Sequence, residues 1–223
     1  MNVRLVGYTQ PTEEFMSEGM EDVQDLISFC ARVSNPSNQM NMETTEKLLN
    51  YLAKHKHWSP FEMASATLEI ETTRDIARQM LRHRSFAFQE FSQRYANPEE
   101  FGDQFVIREA RLQDDKNRQN SIDVKDEELQ LEWEREQRRV IWMAEQVYDW
   151  AIKKGIAKEQ ARCVLPEGNT KSRLYMQGTI RSWIHFIELR SSNGTQKEHI
   201  EVAKACAEAI TSIFPLVKNY TSE

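Results

Sequence analysis

The spacing of apolar residues changes repeatedly along the chain, and each change marks an element. Val3–Tyr8 reads as a short strand, and Val23, Leu26, Ile27, Cys30 and Val33 then recur at helical spacing. The polar run Ser34–Gln39, which contains Pro36, should end that helix. A second helix is predicted over Thr44–Lys56, with Leu48, Leu49 and Leu52 inward, and His57–Pro60 breaks the pattern. From Met63 to Glu71 the period drops to two. Ala64, Ala66, Leu68 and Ile70 take one side and Ser65, Thr67, Glu69 and Glu71 the other, the mark of a half-buried strand. Thr72 and Asp75 resemble a capping box, with Asp in place of Glu, for a helix running to about His83.

Ser85–Tyr95 is mixed, Phe105–Arg108 is a possible strand, and the charge- and amide-rich Glu109–Asp126 reads as a surface loop. A long helix follows over Glu127–Lys154, with Trp133, Val140, Ile141, Ala144, Val147 and Ala151 as its inner stripe and Gly155 as its C-terminal cap. At about 1.5 Å per residue it spans roughly 40 Å, enough for a spine or an oligomer surface. A short helix over Lys158–Val164 stops at Pro166, and a helix is predicted over Ser172–Arg190. The last begins near Thr195, with Thr195 and Glu198 as a capping box and Ile200, Ala203, Ala207, Ile210 and Phe214 as its buried stripe. With no internal repeat or linker, residues 1–223 read as one helix-rich α+β domain carrying a small, mostly antiparallel sheet.

Composition narrows the class. The 223 residues carry a formal net charge of −6, which argues against duplex nucleic acid as a partner. No uncharged apolar run approaches the ~18 residues of a membrane span, and the N-terminus has no apolar signal region. The 3 cysteines form no metal or disulfide pattern, so a reducing cytoplasm is expected.

Candidate chemistry concentrates in two arginine clusters. Arg82-His83-Arg84 is followed by Ser85, Glu90, Ser92 and Arg94, with Phe86, Phe88 and Phe91 interleaved. Arg74, Arg78 and Arg82 are four apart, on one helical face, where guanidinium forks suit a phosphate. A solvated basic face is the plain alternative, weakened by the buried-type aromatics. The second cluster is Arg162, Arg173, Arg181, His185 and Arg190. Arg181 and His185 share a helical face, whereas Arg190 falls about 180° round from Arg181 on an unbroken helix. One site using both needs a helix end, a bend or a subunit interface. His55 and His57 are too weakly spaced for a metal site.

Arg82-His83-Arg84, seven residues, Ser92, then Arg94-Tyr95 resembles the signature of flavin-dependent thymidylate synthases. His57-Trp58-Ser59-Pro60-Phe61-Glu62, Cys30-Ala31-Arg32-Val33-Ser34, Ala161-Arg162-Cys163-Val164-Leu165-Pro166 and Arg181-Ser182 through Leu189-Arg190 resemble further stretches of that family, in order. The chain departs from the common pattern at Met63, Ala87, Gln89 and Thr179, where His, Ser, Asn and Asn are frequent.

The resemblance implies methylation of dUMP to dTMP, with methylenetetrahydrofolate as carbon donor and NADPH-reduced FAD as hydride source. It also implies an α+β fold and a homotetramer whose sites are shared between subunits; charge and the lack of an apolar span already predict no nucleic-acid and no membrane partner. By the same resemblance, dUMP is held by Gln79, Met80, Leu81, Arg82, Glu90, Phe91, Ser92, Gln93, Arg94, Arg162 and Arg190, with Arg190 catalytic. FAD is held by Ser59, Arg82, His83, Arg84, Glu90, Thr179, Ile180, Arg181 and His185, and no metal is involved. Cys163, beside Arg162, is the only cysteine to weigh as a nucleophile, and it stands where the family fixes no residue. The competing reading is a non-catalytic nucleotide- or RNA-binding module, in which the interleaved aromatics stack bases.

Overall fold

The computed structural model describes residues 1–97 and 102–222. Its main sheet joins β1 (Asn2–Tyr8), β2 (Ser65–Thr73), β6 (Lys171–Thr179) and β3 (Ala87–Glu90), antiparallel throughout, in the order β1-β2-β6-β3. Register carries an apolar row straight across it: Leu5 faces Leu68, Leu68 faces Met176, and Met176 faces Phe88. The opposite face is polar. There Glu69 sits between Arg4, which donates to it, and the Tyr175 hydroxyl, which donates at 2.8 Å.

Ahead of β2 lie α1 (Glu13–Ser17), α2 (Val23–Ala31) and α3 (Thr45–Lys54). Asp22 caps α2 by accepting from the Gln24 and Asp25 amides, and the helix ends at Ala31, which leaves Val33 exposed. After β2 comes α4 (Arg74–Met80), and the chain closes with α7 (Ile180–Arg190) and α8 (Lys197–Thr211). These last two helices pack on the apolar sheet face through Trp183, Phe186, Ile187, Val202, Cys206 and Ile210, all fully buried. The Trp183 indole N–H donates to the Ala66 carbonyl at 3.0 Å, so the largest core side chain is also satisfied. The Phe86 ring lies so close over Gly178 that an added Cβ would stand 2.4 Å from it.

Five predicted features differ. Ser172–Arg190 is not one helix: its first part is β6, because Leu174 and Met176 are buried in alternation with Tyr175 and Gln177, a period of two. Phe105–Arg108 forms no strand; Phe105 makes one bridge to Thr170. The predicted loop contains a small hairpin, β4 (Arg111–Gln113) with β5 (Ser121–Asp123). The caps also shift. Thr73, not Thr72, is the N-cap of α4, its hydroxyl donating to Asp75 at 2.6 Å. Gln196, not Thr195, is the N-cap of α8.

The long helix, α5 (Glu127–Lys153), runs as expected and is closed by Gly155 at φ +77°. Its inner face follows the expected stripe only at Ala144 and Ala151. Gln137, Ala144, Tyr148 and Ala151 are buried, whereas Trp133, Val140 and Val147 are exposed. The reason is polar. Gln137 accepts from the Arg108 amide at 2.9 Å and donates to the Arg108 carbonyl at 2.8 Å. One heptad earlier, Gln130 repeats this pairing with the amide and carbonyl of Ala110 at 2.7 and 2.9 Å. The stretch 108–110 thus finds its backbone partners on a helix instead of a strand. The short α6 (Lys158–Ala161) packs beneath the C-terminal end of α5 through Tyr148, Ala151 and Ala161. No described helix is long and apolar enough to cross a membrane.

Candidate active site

The predicted residues fall into three groups. The first forms where α4 ends. The His83 amide donates to the Met80 carbonyl at 3.0 Å and the Phe86 amide to the His83 carbonyl at 3.3 Å, so Arg82-His83-Arg84 is held in a tight turn. This turn meets the C-terminal end of α7. There Arg190 Nε donates to His83 Nε2 at 2.9 Å. A guanidinium N–H requires a lone pair, so His83 is neutral and carries its proton on Nδ1. Burial, then the charges of Arg190 and Arg82, push the His83 pKa down to about 4. The Phe186 ring stands edge-on to the imidazole at 5.0 Å and fixes its plane.

Behind His83 lies His199, fully buried and pushed down to about 3 by burial, Arg190 and His83. Its Nδ1 is 3.2 Å from Gln79 Oε1. Among the described residues no carboxylate pairs with Arg82, Arg84 or Arg190. The uncancelled charges of Arg190 and Arg82 thus bear on a neutral His83, the electrostatics of an anion site.

The second group surrounds Glu90, at the end of β3. Its carboxylate accepts from the Ser172 hydroxyl at 2.8 Å and faces Arg78 at 3.4 Å and Arg74 at 3.6 Å. Arg78 also reaches Glu167 at 3.2 Å. Arg162, on the turn after α6, adds its charge to that of Arg74. Beyond β3, the Tyr95 and Ala96 amides close a turn on the Ser92 carbonyl. Arg94 is exposed, whereas Gln93 is buried with its Nε2 unpartnered. The Phe91 amide donates to the Arg173 carbonyl at 2.9 Å, which extends the strand pairing by one residue.

The third group sits at the opposite end of α7. Arg181 donates to Glu62 at 2.7 Å, and His185 meets the Trp58 ring edge-on at 4.7 Å, one residue before Ser59. Thr179 is the N-cap of α7, its Oγ1 accepting from the Ser182 amide at 3.2 Å. Thr and Asn are both N-capping residues, which explains how Thr stands here in place of the common Asn. Arg181 and Arg190 lie near the two ends of one continuous helix, about 13.5 Å apart along its axis.

Met80 and Ile180 are core residues with no exposed side chain, so only their backbones are open to a ligand role, and the Ile180 amide is already bonded to the Ala64 carbonyl. Leu81 is half-buried in the turn. Gln196, Glu198 and His199 join the first group without having been expected there; Glu198 had read as half of a helix cap. Among the described residues no cluster of His, Cys, Asp and Glu could hold a metal.

A family profile described as "Thymidylate synthase complementing protein" matches residues 16–216. The "Probable flavin-dependent thymidylate synthase" of Paramecium bursaria Chlorella virus 1 is 50% identical over 217 residues, covering 97% of both chains. The flavin-dependent thymidylate synthase of Synechocystis sp. is 48% identical over 218 residues, again covering 97% of both. A crystal structure of the UMP/dUMP methylase PolB from Streptomyces cacaoi, bound with 5-Br dUMP, has the same fold at a TM-score of 0.77 and 25% identity, covering 98% of this chain and 93% of that one. With its signature arginines on a turn closed by the end of α7, and with near full-length relatives of one kind, the chain belongs to the flavin-dependent thymidylate synthase family.

Proposed function

We propose that this protein methylates dUMP to dTMP in the cytoplasm, with methylenetetrahydrofolate as carbon donor and NADPH-reduced FAD as hydride source. The observation that carries the reading is the Arg190–His83 contact. It holds a guanidinium whose charge no described carboxylate cancels, beside a histidine kept neutral. A cation at the uracil edge favours the N3-deprotonated, electron-rich ring, the direction needed to make C5 nucleophilic. Arg190 is accordingly the catalytic residue. Gln79 through Arg82, Glu90 through Arg94 and Arg162 would hold the nucleotide.

The donor set suits FAD. Arg82 and Arg84 are exposed without acidic partners, as a pyrophosphate requires, and Arg181, His185 and Ser59 supply further polar groups beside the Trp58 ring. When bound, FAD supplies the redox chemistry, which no side chain here can provide. The protein orients the reactants. Among these residues the Thr179 hydroxyl is already engaged in capping, so its flavin contact would be shared with that role.

The three groups would come together in a homotetramer. Trp142, Met143, Val140 and Trp150 leave an apolar surface on α5, at exposures of 55–59%, that a second subunit can cover. Tritium release from C5-labelled dUMP by the purified yellow enzyme, dependent on NADPH and methylenetetrahydrofolate, is the expected result. A colourless protein that cannot be reconstituted with FAD, and that binds RNA with a steep salt dependence, would instead establish the nucleotide- or RNA-binding module.

A further inference from the structure

Gln79 stands in a chain of side-chain hydrogen bonds that reaches well away from the nucleotide groups. Arg111 of β4 donates to Glu198 Oε1. Gln196 Nε2 donates to Glu198 Oε2 at 2.9 Å, and Gln79 Nε2 donates to Gln196 Oε1 at 2.8 Å. At the far end His199 Nδ1 lies 3.2 Å from Gln79 Oε1.

The direction of this chain is fixed at one end. Burial by itself would raise the Glu198 carboxyl. Arg111, a backbone amide, Gln196 and Arg108 outweigh that and hold it below the usual carboxylate range. An ionised carboxylate only accepts. Gln196 must therefore turn its amide nitrogen to Glu198 and its carbonyl to Gln79. Gln79 must turn its nitrogen to Gln196 and its carbonyl to His199, and His199 must carry its proton on Nδ1. A separate feature agrees: His199 Nε2 is buried with no partner, and as a lone pair it strands no N–H.

We propose that Glu198 and Gln196 are positioning residues that fix Gln79 as a donor toward an oxygen of the bound nucleotide. One Gln79 N–H is committed to Gln196 and its carbonyl to His199, which leaves one amide hydrogen to offer. The proposal rests on the reading of Gln79 as a dUMP contact given above.

The test is dUMP titration of the FAD-loaded enzyme, with steady-state kinetics and the nitrogen NMR spectrum of histidine-labelled protein. E198Q removes the anion that sets the direction. Q196L cuts the chain while leaving the Arg111–Glu198 pair intact, so it carries the test if E198Q fails to fold. Each should weaken dUMP about tenfold, the worth of one hydrogen bond, and raise KM while kcat at saturating dUMP stays within about twofold. In each the His199 signal should change from a single Nδ1–H tautomer to a mixture. Normal dUMP binding by both variants, with Q79L impaired, would overturn the positioning role and leave the Gln79 reading standing. Normal binding by Q79L would remove that reading and the proposal with it. A wild-type spectrum showing His199 as the Nε2–H tautomer would overturn the proposal directly.

Discussion

The charge of Arg190 is left uncompensated because the partner it donates to is a neutral imidazole and not a carboxylate. Arg190→Ala should retain FAD, judged by the flavin spectrum, and lose most dUMP methylation; near-normal turnover would contradict its assignment. Cys163 is exposed on the turn beside Arg162, outside any base–nucleophile pair, so Cys163→Ala should keep its turnover. The two neutral histidines also shape stability. His83 and His199 titrate at about 4 and about 3 in the fold, against about 6.5 in an unfolded chain. Below pH ~6.5 the unfolded state therefore binds protons that the folded state refuses, and stability must fall with pH from there down to about pH 3. Melting temperature should already decline between pH 6.5 and 5, before most carboxylates titrate, and His199→Leu should flatten that decline. The arginines of this region were legible because their residue types and spacing are unusual. Their partners were not. Gln79 and Gln196 stand 117 positions apart, and no local pattern announces such a pair.

Elements whose apolar period matched their structure were read well. β2 alternates and is a strand; α3 buries Leu49 and Leu52 of its stripe, and α8 buries Ala203, Ala207 and Ile210 of its own. The failure at residues 171–190 has a local cause. β6 passes into α7 at Thr179 with no proline and no intervening loop, and the one glycine there, Gly178, still belongs to the strand, so two periods run together without a break. β6 also carries a close backbone–ring contact at Gly178. Gly178→Ala would drive a methyl into the Phe86 ring, and overpacking of this kind costs about 1–3 kcal/mol. Chemical denaturation should register that loss, and Phe86→Leu should recover part of it by giving the methyl room. Equal stability of Gly178→Ala and the parent would mean that the ring moves aside freely.

For the whole molecule, the net charge of −6 argued against duplex nucleic acid but concealed the local gathering of arginines. The long helix was legible as a helix. Its inner face was legible only in part: Ala144 and Ala151 are buried as the period suggests, but Gln137 and Tyr148 take the places expected of Val140 and Val147. Trp142→Glu on the outer face should shift the sedimentation mass from that of a tetramer to a smaller species while helicity persists. An unchanged mass would count against assembly through this face. The glutamine pairing has a consequence of its own. Gln130 and Gln137 close the Arg108 and Ala110 amides onto α5, while the side chains of Arg108 and Arg111 run on to Asp75 and Glu198. In amide hydrogen exchange the segment should therefore open not as a surface loop but at the pace of the helix it lies on, in one cooperative unit with the base of α8.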